Sequence, residues 1–165
     1  MKLDFSQKYA VRPLTAGDVD KILALCAENE QFYRYHPPLA TRESVLEDLS
    51  ALPPGKNAAD KHYLGFFDGK TLVAVLDLIL DYPQEGTAYL GFFMTKKATQ
   101  GRGIGSALIG ELLDELRKAS CKKVRLAVDR GNPQSKAFWE KNGFALTGEE
   151  VPHGDSAYLP MERKI

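Results

Sequence analysis

Between Tyr89 and Val128 the chain reads as an aromatic-rich strand, a glycine-rich turn, a long amphipathic helix and a second strand. That succession constrains the fold more than any other feature. A strand that returns through a helix must lie parallel to its predecessor, because antiparallel neighbours need only a tight turn. The first strand spans Gly86 to Thr95 and the helix about Gly103 to Ala119. Ile104, Leu108, Leu112 and Leu116 form the helix's apolar stripe, widened by Leu113, while Glu111, Asp114, Arg117 and Lys118 face water. Lys123 to Val128 supplies the second strand.

Every other strand neighbour reads as antiparallel. His62–Phe67 and Thr71–Leu80 flank Asp68-Gly69, a strong hairpin signal. Strict alternation puts Leu72, Ala74, Leu76, Leu78 and Leu80 on one face, and Val73, Val75, Asp77, Ile79 and Asp81 on the other. Upstream, Tyr9–Leu14 is a short strand, and Thr15 caps a helix carrying Val19, Ile22, Leu23 and Leu25. Pro37-Pro38 close that region, a second helix starts at Thr41, and Pro53-Pro54-Gly55 stop it. Downstream, Asn132 caps a helix with Pro133 in its first turn, and Gly143 ends it. Strands at about Phe144–Val151 and Ala157–Lys164 close the chain. The fold class is mixed α/β (α+β): a central, mostly antiparallel sheet with one parallel strand pair, flanked by helices.

At 165 residues the expectation is a single domain spanning 1–165. Lys and Arg total 22 and Asp and Glu total 22, so the chain lacks the basic excess of a nucleic-acid binder. No apolar run reaches the roughly 18 residues of a membrane span, and no membrane partner is expected. The N-terminal segment has no apolar core of a secretory signal, and the two cysteines, Cys26 and Cys121, show no paired or metal-ligand spacing. A reducing, cytoplasmic location and no metal are expected.

The chemistry sits in Gln100-Gly101-Arg102-Gly103-Ile104-Gly105, between strand and helix. Glycines let several backbone N–H groups approach one anion, and the helix N-terminus adds unsatisfied donors and a positive dipole end. A phosphate or pyrophosphate fits such a cradle, with Arg102 and Ser106 as side-chain donors. The bland reading is a turn that packs a helix tightly on a sheet. A Walker loop is excluded because no Gly-Lys-Ser/Thr follows. A dinucleotide fingerprint needs glycine where Ser106 stands, and Asp129 comes roughly 25 residues on rather than about 20.

On these residues the chain resembles the GNAT superfamily of N-acetyltransferases. The acyl-CoA loop Gln/Arg-x-x-Gly-x-Gly/Ala is matched by Gln100, Gly103 and Gly105. Downstream, Asn132-Pro133-Gln134-Ser135-Lys136-Ala137-Phe138-Trp139-Glu140-Lys141-Asn142-Gly143-Phe144 resembles the family's Asn-x-x-x-Ala-x-x-Phe/Tyr-Tyr-Glu-Lys-x-Gly-Phe segment. The resemblance implies that the parallel strands splay and that acetyl-CoA (coenzyme A) lies between them. It implies a pyrophosphate on the amides of Gln100, Gly101, Arg102, Gly103, Ile104 and Gly105, with Ser106 beside them. The pantetheine arm would pair with backbone near Met94 and Thr95. Asn132, Ser135 and Phe138 match positions on the cofactor's other side, and Asn132 also reads simply as a helix cap. Lys96 and Lys97 could meet a phosphate, or sit on a solvated face.

The implied reaction is transfer of acetyl from acetyl-CoA to a primary amine, on a small molecule or a peptide or protein, by direct attack in a ternary complex. The amine must first lose a proton to a base. Two departures from the family pattern stand out. Trp139 replaces the tyrosine that often protonates the sulfur, and an indole is no proton source. The strand Thr87–Thr95 carries no carboxylate, and Tyr89 occupies the place where some members have a glutamate base. Asp77, interrupting an apolar strand, is a candidate base; its alternative reading is a salt-bridged surface aspartate. For the acceptor wall the resemblance points to the loop holding Phe32, Tyr33, Tyr35 and His36, with Trp139 against the pantetheine or the acceptor. These aromatics could equally plug core, as could Trp139. Two further readings are a non-catalytic acyl-CoA-binding or sensing module and transfer of an acyl group other than acetyl. The resemblance allows a homodimer.

Overall fold

The computed structural model describes residues 1–165. Its centre is a sheet ordered β1-β2-β3-β4-β5-β8-β6, with β7 also paired to β8. The strands are β1 (Ala10–Pro13), β2 (Lys61–Asp68), β3 (Thr71–Ile79), β4 (Thr87–Thr95), β5 (Lys123–Asp129), β6 (Ala145–Leu146), β7 (Val151–His153) and β8 (Ser156–Lys164). The helices are α1 (Val19–Glu28), α2 (Glu30–Tyr35), α3 (Arg42–Asp48), α4 (Ile104–Lys118) and α5 (Pro133–Lys141). Only β4 and β5 pair in parallel. The class is therefore the one the sequence implied: mixed α/β, mostly antiparallel, with one parallel pair.

Each face of the sheet buries an apolar cluster. The larger one packs Leu108, Ile109, Leu112, Leu113 and Leu116 of α4 and Trp139 of α5 on Leu64, Phe66, Leu76, Leu90 and Leu126. The smaller one packs Val19, Ile22 and Leu25 of α1 and Val45 of α3 on Tyr63, Phe67, Val75 and Met94. Apolar residues three and four apart along α4 and two-residue alternation along the strands make this arrangement possible. No helix is long and apolar enough to cross a membrane.

Three local expectations need correction. Strict alternation along β3 fails, because Phe66 pairs with Ala74 while Phe67 pairs with Leu72, leaving Val73 as an extra residue. That bulge sends Val73 to the α4 side with Ala74, and Leu72 to the α1 side with Val75. The acceptor segment expected as a loop is the short helix α2. The single strand expected over Phe144–Val151 is two short strands, β6 and β7, separated by a turn.

The feature that positions the site is where β4 and β5 stop pairing. Their register runs from Thr87↔Lys123 to Leu90↔Leu126 and no further. β4 then continues through Gly91 to Thr95, and β5 through Ala127 to Asp129. A second bulge opens the gap: Asp77 pairs with Phe92 but Leu78 with Leu90, so Gly91 is the inserted residue. A bulge bends its strand and increases the local twist, which carries the end of β4 away from β5.

Candidate functional site

A cleft of about 530 Å³ opens at this splay. It is walled by Phe93, Met94 and Thr95 of β4, by the turn and first residues of α4, and by Asn132, Ser135, Phe138 and Trp139. Phe32 of α2 closes the far side.

The turn is the cleft's most distinctive wall. The amides of Gly101, Arg102, Gly103, Ile104, Gly105 and Ser106 have no hydrogen-bond acceptor within the chain. The first four donors of any α-helix lack intrahelical partners, and here the glycine turn adds two more. Gly101 and Gly103 hold φ of +75° and +76°, which glycine adopts without steric cost. A Cβ on either would meet no atom within 4 Å, so their missing side chains leave open space beside the amides. Gly105 is different, because its Cβ would lie 3.3 Å from the Phe138 ring. That glycine lets α4 approach α5. The packing reading of the turn therefore applies at Gly105, while Gly101 and Gly103 leave the space that the anion reading needs.

Gln100 departs from the expected amide cradle. Its backbone N–H is spent on the Lys97 carbonyl at 3.1 Å. Its side-chain amide donates to Asn29 Oδ1 at 2.7 Å and to the Thr95 carbonyl at 3.1 Å. Asn29 Nδ2 also donates to that carbonyl, at 3.2 Å, and to the Leu25 carbonyl at 2.9 Å. Two side-chain amides thus occupy the Thr95 carbonyl and tie the end of α1, the end of β4 and the turn together. The Met94 side chain is buried in the smaller core and its backbone pairs with Val75 of β3, so the expected backbone pairing with a pantetheine arm does not fall on Met94. Arg102 is not among the cleft's walls, whereas Ile104, Ser106 and Ser135 are. Asn132 acts as the helix cap, accepting from Ser135 N at 3.1 Å, and lines the cleft as well.

Trp139 lies edge-on to Phe138 and Phe144, at 4.9 and 5.2 Å between centroids. It is buried in the larger core, on the α4–α5 side of the sheet, and not beside the α2 aromatics. Among those, Phe32 alone lines the cleft. Tyr33 turns inward onto the smaller core, where its hydroxyl meets the Cys26 thiol and burial pushes its pKa up. Tyr35 is exposed. His36, just past α2, places Nδ1 at 3.1 and 3.2 Å from the two oxygens of Asp129, the last residue of β5.

Neither candidate base on the strands enters this cleft. Both oxygens of Asp77 are held by Lys61 Nζ, at 2.9 and 3.0 Å, and both side chains are largely buried. Burial pushes the Asp77 carboxyl upward and the ammonium opposes it. Tyr89 packs edge-on against Tyr82 at 5.5 Å, and burial raises its phenol. Several cleft residues had no role from sequence: Glu28, Asn29, Thr99, Gln134 and Lys141. Lys141 stood within the quoted Glu-Lys segment; Asn29 had no signal, since its bonds reach residues far along the chain. Of the two lysines before the turn, Lys96 is paired with Glu28 at 2.8 Å, while Lys97 lines the cleft. No group of three or more His, Cys, Asp or Glu side chains comes together as a metal site.

The sheet splays at its only parallel pair, and an unpartnered amide turn lies in the gap. Residues 23–144 match the model of the acetyltransferase (GNAT) family, and the chain belongs to that family. It is 28% identical over 135 residues to mycothiol acetyltransferase of Beutenbergia cavernae. That match covers 79% of this chain and 43% of the relative, so the chain spans less than half of that protein's length. An acetyltransferase from Thermus thermophilus superposes with a TM-score of 0.77 at 23% identity, over 100% of both chains. The PaiA N-acetyltransferase of Thermoplasma acidophilum, solved with coenzyme A, gives a TM-score of 0.69 at 22% identity, over 95% of this chain and 99% of that one. These likenesses establish a shared fold.

The residues present fit coenzyme A. The amides of 101–106 are free for a diphosphate, Gly101 and Gly103 leave room beside them, and Lys97 and Lys141 add unpaired cations along the same cleft.

Proposed function

We propose that the protein transfers an acetyl group from acetyl-CoA to a primary amine, by direct attack with both molecules bound. Family membership supports acetyl transfer. The single structural observation that carries the cofactor assignment is the run of unpartnered amides from Gly101 to Ser106 at the splayed strands.

When bound, acetyl-CoA supplies an activated thioester. The chain's own residues bind, orient and enclose it. The turn amides and the N-terminus of α4 neutralise diphosphate charge with fixed dipoles that need no reorganisation. The β4 backbone beyond Leu90 lies beside a gap too wide for β5 to pair, and a peptide-like arm can add there as a strand would. Phe93 and Phe138, stacked at 6.2 Å with 22° between planes, make an apolar wall that keeps water from the reacting end. Phe32 separates this end from the α2 side, where an amine would approach.

The test is a thiol-release assay with acetyl-CoA over a panel of small amines and amino-terminal peptides, run beside calorimetric binding of CoA. Binding with amine-dependent release supports the reading. Binding with no release from any amine makes the chain a CoA-binding module, and no binding removes the cofactor assignment.

A further inference from the structure

We propose that His36, oriented by Asp129, is the general base that deprotonates the acceptor amine. This rests on the transferase reading above. The cleft's one carboxylate, Glu28, is taken by Lys96 Nζ at 2.8 Å and by the Lys97 amide at 3.1 Å. Asp77 is held on both oxygens by Lys61. The His36 ring, stacked on Phe32 of the cleft wall, is an imidazole with one nitrogen left unbonded.

Its geometry suits the task. Asp129 sits on the part of β5 that has left β4, and its carboxylate is almost fully covered, with 12% of the side chain exposed. The ring nitrogen facing it, Nδ1, must be the donor, since a carboxylate only accepts. Nε2 is thereby left with its lone pair, and the ring is 41% exposed, so a solute can reach it. Phe32 tilts against the imidazole at 5.3 Å and itself lines the cleft, so one side chain separates base and cleft. Tyr158 of β8 holds the other side at 6.1 Å. A histidine bonded through Nδ1 to a carboxylate has its tautomer fixed.

In the step, the acceptor ammonium gives one proton to Nε2, and imidazolium passes it to solvent. The amine nitrogen forms the C–N bond as the C–S bond breaks, and its second proton leaves with the thiolate. Charge and protons balance without another reactant.

His36→Gln and Asp129→Asn test this. General-base removal costs about 10²–10⁴-fold in kcat. The expected result for His36→Gln is a loss in that range, with CoA affinity held and the acid limb of the kcat/KM profile flattened. The titratable groups around the ring are Asp129 on β5, Asp48 on α3 and Tyr158 on β8, with His153 of β7 stacked behind Tyr158 at 4.6 Å. Asp129→Asn should lower kcat with KM nearly unchanged. Nitrogen-15 NMR of the free wild-type protein gives an activity-independent reading: Nδ1 protonated and Nε2 bare at high pH. The proposal is overturned if His36→Gln keeps kcat within threefold and the same pH profile, or if Nε2 carries the proton. Wild-type protein that binds CoA yet releases thiol with no amine overturns the transferase reading, and this step with it.

Discussion

Gly103 and Gly105 stand two residues apart and serve different ends, and substitution separates them. Alanine at 103 must hold φ near +76°, at a cost of about 1 kcal/mol, with its methyl in open space. Gly103→Glu adds a side chain and a negative charge beside the amide cradle, and is expected to abolish CoA binding while leaving the fold; calorimetry with circular dichroism checks both. Gly105→Ala instead brings a methyl to 3.3 Å from Phe138, so the ring must shift slightly; this offsets alanine's helix-propensity gain of about 1 kcal/mol, and urea unfolding should show a net change within about 1 kcal/mol. Far from the cleft, the Arg12 guanidinium bonds Asp18 at 2.7 and 2.9 Å and holds its carboxyl at about 2, below the ordinary 3.8. The unfolded chain therefore takes up that proton first. The stability this pair adds is whole above about pH 4 and is lost as the pH falls towards about 2. Asp18→Asn should flatten that part of the unfolding-versus-pH curve. The turn glycines and the Asn132 cap were legible because local chemistry decides them. The Asp77–Lys61 pair, the inward turn of Tyr33 and the Asn29–Gln100–Thr95 tie were not, because each partner is set by tertiary packing.

At the scale of elements, regular spacing read well and irregularity did not. The stripe of α4 is as the sequence implied, and Leu116 within it is fully buried. Leu116→Ala should cost about 2–5 kcal/mol in denaturant unfolding, since the sheet beneath collapses only partly into the space. The bulges at Val73 and Gly91 were invisible, because one inserted residue leaves composition unchanged while shifting every side chain beyond it. Gly91 carries the larger consequence, for a Cβ there would lie 3.1 Å from Asp77 Oδ2. The inserted residue thus bends β4 and leaves room for Asp77 of the buried β2–β3 ion pair. The six residues of α2 were equally hidden: Glu30–Tyr35 is too short for the apolar period to repeat, and Pro37-Pro38 made the region read as loop.

For the whole molecule, the parallel crossing from β4 through α4 to β5 follows from the strand–helix–strand order, and the splay from the bulge within it. Two helical layers then occupy opposite faces of the sheet. α4 and α5 build the side that carries the unpartnered amide turn, while α2 brings Phe32 to the cleft from the other. A two-substrate reaction needs such access from both directions. The most direct measurement is an amide-resolved NMR titration with CoA, repeated with pantetheine, which lacks the diphosphate. Large shifts at the amides of Gly101 to Ser106 with CoA and small ones with pantetheine are expected. CoA binding that leaves those six amides unmoved would contradict the account.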